Sequence, residues 1–290
     1  MAGERHAIER VGERDRHADF CLWDYQPPRP AAGKLASSNL LWRAIEASAE
    51  GDRLVEACET LRGALGPGMT VYGVKSFGGR LAFEFYFYDY ARLERSVSIS
   101  RVLDSLAPLT THDLKRMEGR PYFMFSIDLD EDIAARRKPL EVVNMYIGNP
   151  GSAVSSGICY EVGAHGPTLS NFYFFFDAKT EMNEVYAKAA CSAHHDLRQA
   201  PLAAVFRKPW LDCQVTVVAN KRANDGVYFS RVGIDALIDF LKTQAFPAAL
   251  TDFARDNRAE LDHLLWDLGV DYVVEAGEAR LVKSAFYGLL

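Results

Sequence analysis

The sequence has no paired-cysteine motif. Its five cysteines (Cys21, Cys58, Cys159, Cys191 and Cys213) are odd in number and widely spaced, and no CxxC occurs. That pattern speaks against a disulfide framework or a zinc site, so no metal-ligating residues are assigned, and a reducing cytoplasm suits it best. Long apolar runs are missing too. Nothing approaches the roughly 20 residues of a membrane-crossing helix, and no membrane partner is expected. Met1–His17 is charged throughout, so no secretory leader is expected. Positive charge is short: 33 Lys and Arg against 39 Asp and Glu leave a net charge of -6, which weighs lightly against nucleic acid as a partner.

What the chain does have is alternation. In Met69–Tyr90, two strands flank a Ser76-Phe77-Gly78-Gly79 turn, where the glycines supply positive φ. Phe83, Phe85 and Phe87 point one way and Glu84, Tyr86 and Tyr88 the other. Four more pairs follow: Tyr122–Leu129 with Glu141–Ile147, Gly157–Val162 with Leu169–Asp177, Cys213–Lys221 with Val227–Val232, and Val270–Glu275 with Ala279–Tyr287. Asn224-Asp225-Gly226 reads as the turn of the fourth pair.

Between the pairs, helices are expected at about Asn39–Ala49, Arg53–Leu65, Tyr90–Leu106, Thr111–Met117, Thr180–Leu197, Gly233–Gln244 and Pro247–Asp267. Asp130–Pro139 reads as an exposed loop. The Arg/Glu-rich residues 1–18 read as a frayed helix or disordered arm. Sheets of ten strands usually curl, split or close, and closure removes exposed edges. The expected fold is α+β: a ten-stranded antiparallel barrel of five hairpins ringed by helices. It spans 39–290 as one domain behind a charged, Pro-rich arm at 1–38.

Five ββ units interleaved with helices resemble the ABBA, or PT-barrel, aromatic prenyltransferases over about residues 40–290. Lys283-Ser284-Ala285-Phe286-Tyr287 is similar to the family's closing strand, where a lysine contacts diphosphate and a tyrosine lines the lumen. Asn171-Phe172-Tyr173-Phe174 resembles a segment whose Asn and Tyr face the pocket. Phe125-Ser126-Ile127-Asp128 resembles the third strand. Arg231 stands where members place a diphosphate-binding arginine, and Ala82-Phe83-Glu84-Phe85 is similar to the segment holding the base glutamate of indole prenyltransferases. The chain departs at Asn144 and Thr168, where members carry further lumen cations; Lys75, Lys221 and Arg80 could compensate from strand ends.

The resemblance implies transfer of a dimethylallyl or geranyl group from its diphosphate to a small aromatic acceptor in secondary metabolism. Indole- or tryptophan-like acceptors come first and phenolic ones second. Such chemistry needs cations for the leaving diphosphate, aromatic faces for an allylic cation and a base for the ring proton. The candidates are Lys75, Arg231 and Lys283 for diphosphate. Tyr86, Tyr146, Asn171, Tyr173, Tyr272 and Tyr287 line the lumen, and Glu84 is the base. Glu84 could instead hold magnesium with the diphosphate, so Mg2+ is a possible cofactor. The rivals are a non-catalytic barrel for a hydrophobic or aromatic ligand, and another barrel enzyme such as a cyclase or isomerase. Ala193-His194-His195-Asp196 reads as a surface helix. Gly148-Asn149-Pro150-Gly151-Ser152 lacks the GK[ST] of a phosphate loop and reads as a flexible loop at the barrel mouth.

Overall fold

The computed structural model describes residues 6–90, 95–148, 155–195 and 204–290. Ten strands close into one antiparallel barrel, each bonded to its neighbours in sequence. The hairpins are β1 (Val71–Phe77) with β2 (Arg80–Tyr88), β3 (Met124–Leu129) with β4 (Val143–Gly148), β5 (Ser156–Gly163) with β6 (Gly166–Asp177), β7 (Val215–Lys221) with β8 (Asp225–Val232), and β9 (Trp266–Glu275) with β10 (Glu278–Leu289). β1 pairs with β10, from Val71 opposite Leu289 to Ser76 opposite Ser284, so the sheet has no edge. The expected helix-ringed barrel is the observed fold.

Period-two alternation places two cores back to back. The outward stripe of Phe83, Phe85, Phe87, Phe125, Ile127, Phe229, Leu268 and Phe286 packs under the helices. These are α1 (Ser38–Glu46), α2 (Gly51–Leu65), α3 (Ile99–Leu106), α4 (Glu131–Ala134), α5 (Met182–Ala190), α6 (Ile234–Thr243), α7 (Ala248–Asp256) and α8 (Arg258–Leu261). Leu41, Leu54, Leu103, Leu237 and Phe240 are buried from the helix side. Each such side chain contributes roughly 1.5–3 kcal/mol, so the cladding is the larger store of stability. The inward stripe forms a separate, tyrosine-rich cluster that includes Tyr86, Tyr88, Tyr146 and Tyr287. Two glycines make room for it. A Cβ on Gly73 would stand 2.7 Å from the Tyr287 ring, and one on Gly269 would stand 2.5 Å from the Tyr228 ring.

Several elements differ from expectation. Helix ends at Leu261, and Trp266 and Asp267 already belong to β9. The apolar spacing of Leu261, Leu264 and Leu268 mimics a helix that the strand interrupts. Asp225 and Gly226 lie inside β8, paired with Asn220 and Ala219, so the turn falls on Arg222–Asn224. Residues 111–117 form no helix, while α4 sits in the expected loop. α5 stops at Ala190, so His194 and His195 are not helical. His195 is buried, with Nε2 3.1 Å from Asp225 and its ring 5.7 Å from Tyr272. Asn149–Ser152 and Asp196 lie outside the described residues.

Residues 6–37 are neither helix nor loose arm. They form a strap whose charges find fixed partners. Glu9 takes two bonds from Arg62, at 2.9 and 3.0 Å, and one from the Trp42 indole at 3.1 Å. Arg10 reaches Glu260 at 3.0 Å.

Gly269→Ala should lower stability by about 1–3 kcal/mol, since the Tyr228 ring must move. Gly63→Ala on α2, where a Cβ meets nothing within 4 Å, should be neutral or stabilising by about 0.5–1 kcal/mol. Urea midpoints of the two variants check both signs.

Candidate functional site

Register assigns the lumen face strand by strand. Lys75 and Gly73 of β1 stand beside Ala82 and Glu84 of β2. Glu84 and Tyr86 then pair with Asp128 and Ser126 of β3, and Ser126 with Asn144 of β4. Tyr146 pairs with Cys159, Cys159 with Asn171, and Asn171 with Lys221. Gly226 of β8 meets Asp271 of β9, and Asp271 meets Lys283 of β10. The barrel interior is therefore divided along its axis. One end holds the tyrosines and the other holds the charges.

The tyrosine belt is continuous. Ring centroids lie 6.2 Å apart for Tyr86 and Tyr146, 5.9 Å for Tyr146 and Tyr173, 6.2 Å for Tyr173 and Tyr228, and 6.5 Å for Tyr228 and Tyr287. Burial holds all five phenols well above their ordinary pKa. Asn171 donates to the Tyr173 hydroxyl at 3.0 Å. The belt is closed at the mouth by the strap. Phe20 places its ring 4.9 Å from both Tyr86 and Tyr287. The cavity left among Phe20, Tyr86, Tyr146, Tyr173 and Tyr228 is about 40 Å³.

The charged end is a network of paired ions. Lys75, 7 % exposed, bonds Glu84 at 2.7 Å and also Asp128. Ser126 donates to Glu84 at 2.7 Å. Burial opposes charge on Glu84, but Lys75 and Lys283 outweigh it and hold the carboxyl below its usual range. Lys221 reaches both oxygens of Asp271, at 2.6 and 2.7 Å, and the Tyr228 hydroxyl at 2.9 Å. Lys283 reaches the same carboxylate at 2.7 Å. Burial pulls the Lys283 ammonium down to about 8, although Asp271 opposes that shift; Lys221 and Lys75 add to it. Asp271, served by two lysines, is held far below its ordinary value against the burial that would raise it. The asymmetry follows from sharing: two ammoniums divide one carboxylate. Beyond Lys75 and the half-exposed Asp128, a cavity of about 430 Å³ opens at the hairpin-turn end.

Of the expected site residues, Glu84, Lys75, Lys283, Tyr86, Tyr146, Asn171, Tyr173 and Tyr287 share the lumen. Two do not. Tyr272 lies on the outer face between Asp225 and Leu281, in the helix-facing core, because its neighbour Asp271 takes the inward position of the alternation. Arg231 sits at a bulge of β8 with φ 64°, and its guanidinium leaves the lumen to bond Asp19 at 2.9 Å and the strap carbonyls of Trp23 and Asp24. It anchors the strap. Asp271 and Tyr228 are the residues that sequence reasoning missed. Extending the stripe Leu268, Val270, Tyr272 back to Trp266 would have put Asp271 inside.

The lumen carboxylates Glu84, Asp128 and Asp271 are committed to lysines, and among the described residues the His/Cys/Asp/Glu group close enough to share an ion is His6, Glu9 and Glu59, outside the barrel. No protein-family model matches the chain, and a search of curated proteins finds no match. None of the described helices is long and apolar enough to cross a membrane.

The strap's seal contains a titrating carboxyl, that of Asp267. Asp267 accepts from the Phe20 and Arg231 backbone N–H groups at 2.7 and 3.2 Å, and burial together with Asp19 raises its pKa to about 7. The folded protein thus holds a proton between about pH 4 and 7 that the unfolded chain releases. Asp267 should contribute less stability as pH rises through that window, while His263, whose pKa burial lowers to about 4, works the other way. The difference in urea midpoint between wild type and Asp267→Asn should therefore move in the variant's favour as pH rises from about 4 to 7.

Proposed function

We propose that the barrel is an aromatic prenyltransferase, moving a dimethylallyl or geranyl group from its diphosphate to a small aromatic acceptor. One juxtaposition supports this reading: largely buried lysines and a belt of tyrosines share a single lumen. The carbon–oxygen bond to diphosphate breaks and its electron pair leaves with the diphosphate. Lys75, Lys221 and Lys283 would take up that charge. The allylic cation would lie against the phenol rings, each contact contributing roughly 0.5–2 kcal/mol and excluding water. A ring carbon of the acceptor attacks, and the ring then loses its proton. Glu84, held ionised, would accept the N–H of an indole-type acceptor, which places indoles before phenols.

A non-catalytic barrel for an aromatic ligand is the second reading. The observation in its favour is that each lumen lysine already has a carboxylate partner.

Purified protein incubated with dimethylallyl or geranyl diphosphate, and with tryptophan and then phenolic acceptors, should yield an alkylated product by mass spectrometry. Glu84→Gln should still bind a thiodiphosphate analogue but turn over roughly 10²-fold more slowly. Equal affinity for geraniol and geranyl diphosphate, with no product from either donor, would replace the enzyme by the binding barrel.

A further inference from the structure

The charged end of the lumen is balanced as a whole but not wall by wall. On the β1–β3 side one ammonium, Lys75, faces two carboxylates, Glu84 and Asp128. On the β7–β10 side two ammoniums, Lys221 and Lys283, face one carboxylate, Asp271. The first wall carries surplus negative charge and the second surplus positive charge. The positive wall is also preformed. Lys221 is fixed at three points, by both Asp271 oxygens and by the Tyr228 hydroxyl. Gly226 leaves the space: a Cβ there would stand 2.7 Å from Asp271 Oδ1 and 3.2 Å from Lys221 Cε. Ala219 and Ala285 are the small lumen-facing neighbours. Both lysines have Asp271 as their ion-pair partner among the described residues, but Lys221 is also held by the Tyr228 hydroxyl.

We propose that Asp271 is an internal competitor for the phosphate-class anion that Lys221 and Lys283 would hold. A carboxylate gripped by two largely buried ammoniums occupies the position that a phosphate oxygen would take. An incoming phosphate replaces Asp271 at Lys283, the less constrained ammonium, while Lys221 stays fixed by Tyr228. Exchange of one anion for another avoids leaving a bare buried charge at any stage. The exchange also selects for ligands of higher charge than a carboxylate, since a singly charged ligand gains nothing over Asp271. The inference rests on the prenyl-transfer reading only for the ligand's organic tail; the phosphate end is argued from the clasp itself.

Inorganic pyrophosphate, which has no tail, is the probe. Calorimetric titration should give at least tenfold tighter binding to Asp271→Asn than to wild type. Lys283→Gln, alone or combined with Asp271→Asn, should bind at least tenfold more weakly than its parent. Equal or weaker binding by a folded Asp271→Asn would overturn the competitor role, and binding indifferent to Lys283→Gln would overturn the site. Should Asp271→Asn fail to fold, wild type decides by chemistry. Pyrophosphate should protect Lys283 from acetylation by an N-hydroxysuccinimide ester, read by peptide mass spectrometry, and acetylation unchanged at saturating pyrophosphate would sink the proposal. If pyrophosphate binds as stated but no acceptor is ever alkylated, the anion site stands and prenyl transfer falls. If turnover occurs while Asp271→Asn gains no affinity, prenyl transfer stands and the competitor role falls.

Discussion

The pairing of β1 with β10 is the constraint on which everything else depends. Six residue pairs, from Val71 with Leu289 to Ser76 with Ser284, turn a sheet with two edges into a tube with none. Without closure, the inward face would be a solvated surface, and Lys75 and Lys283 would be ordinary exposed lysines. With closure, strands from the two ends of the fold stand side by side, and their charges act on one another in a space that excludes most water. The shifts on Glu84, Asp271 and Lys283 all follow from that enclosure.

Enclosing six charges is unfavourable unless each finds a partner. The lumen meets this by sharing: Lys75 is divided between two carboxylates, and Asp271 between two ammoniums. Such arrangements are rigid only when all members are present, which ties the polar end into one unit. The tyrosine end follows a different rule. Its rings pack against glycine backbone at Gly73 and Gly269, so the belt is set by the absence of side chains opposite it.

Most of the fold is legible in the sequence because period-two alternation is local and strong. Phe83, Phe85 and Phe87 against Glu84, Tyr86 and Tyr88 identify β2 and its inner face without reference to anything distant. The same signal places Lys75, Lys283, Tyr146, Tyr173 and Tyr287 correctly. It fails where period is broken or counterfeited. Leu261, Leu264 and Leu268 continue a helical spacing across the start of β9, which hides Asp271 and turns Tyr272 the wrong way. The bulge between Phe229 and Val232 sends Arg231 out of the lumen, and a bulge has no signature in alternation. The strap is illegible for a plainer reason. Irregular chain has no period, and its charged residues look solvated until the distant partners Arg62, Glu260 and Arg231 are known.

The strap's anchors carry a consequence for how the chain reaches this structure. Phe20 bonds Asp267, 247 residues away, and Ser37 bonds Leu289, 252 residues away. During synthesis Glu9 can meet Trp42 and Arg62 early, but the Phe20 part of the strap cannot dock until β9 exists. Contacts of such sequence separation carry a large loop-closure entropy and slow the search for the native topology. Hairpins and helices can form locally as the chain emerges, but sealing of the barrel and seating of Phe20 in its mouth must wait for β9 and β10. Until then the aromatic lining is open to water and to other nascent chains, so the interval before closure is when this protein is most exposed to aggregation.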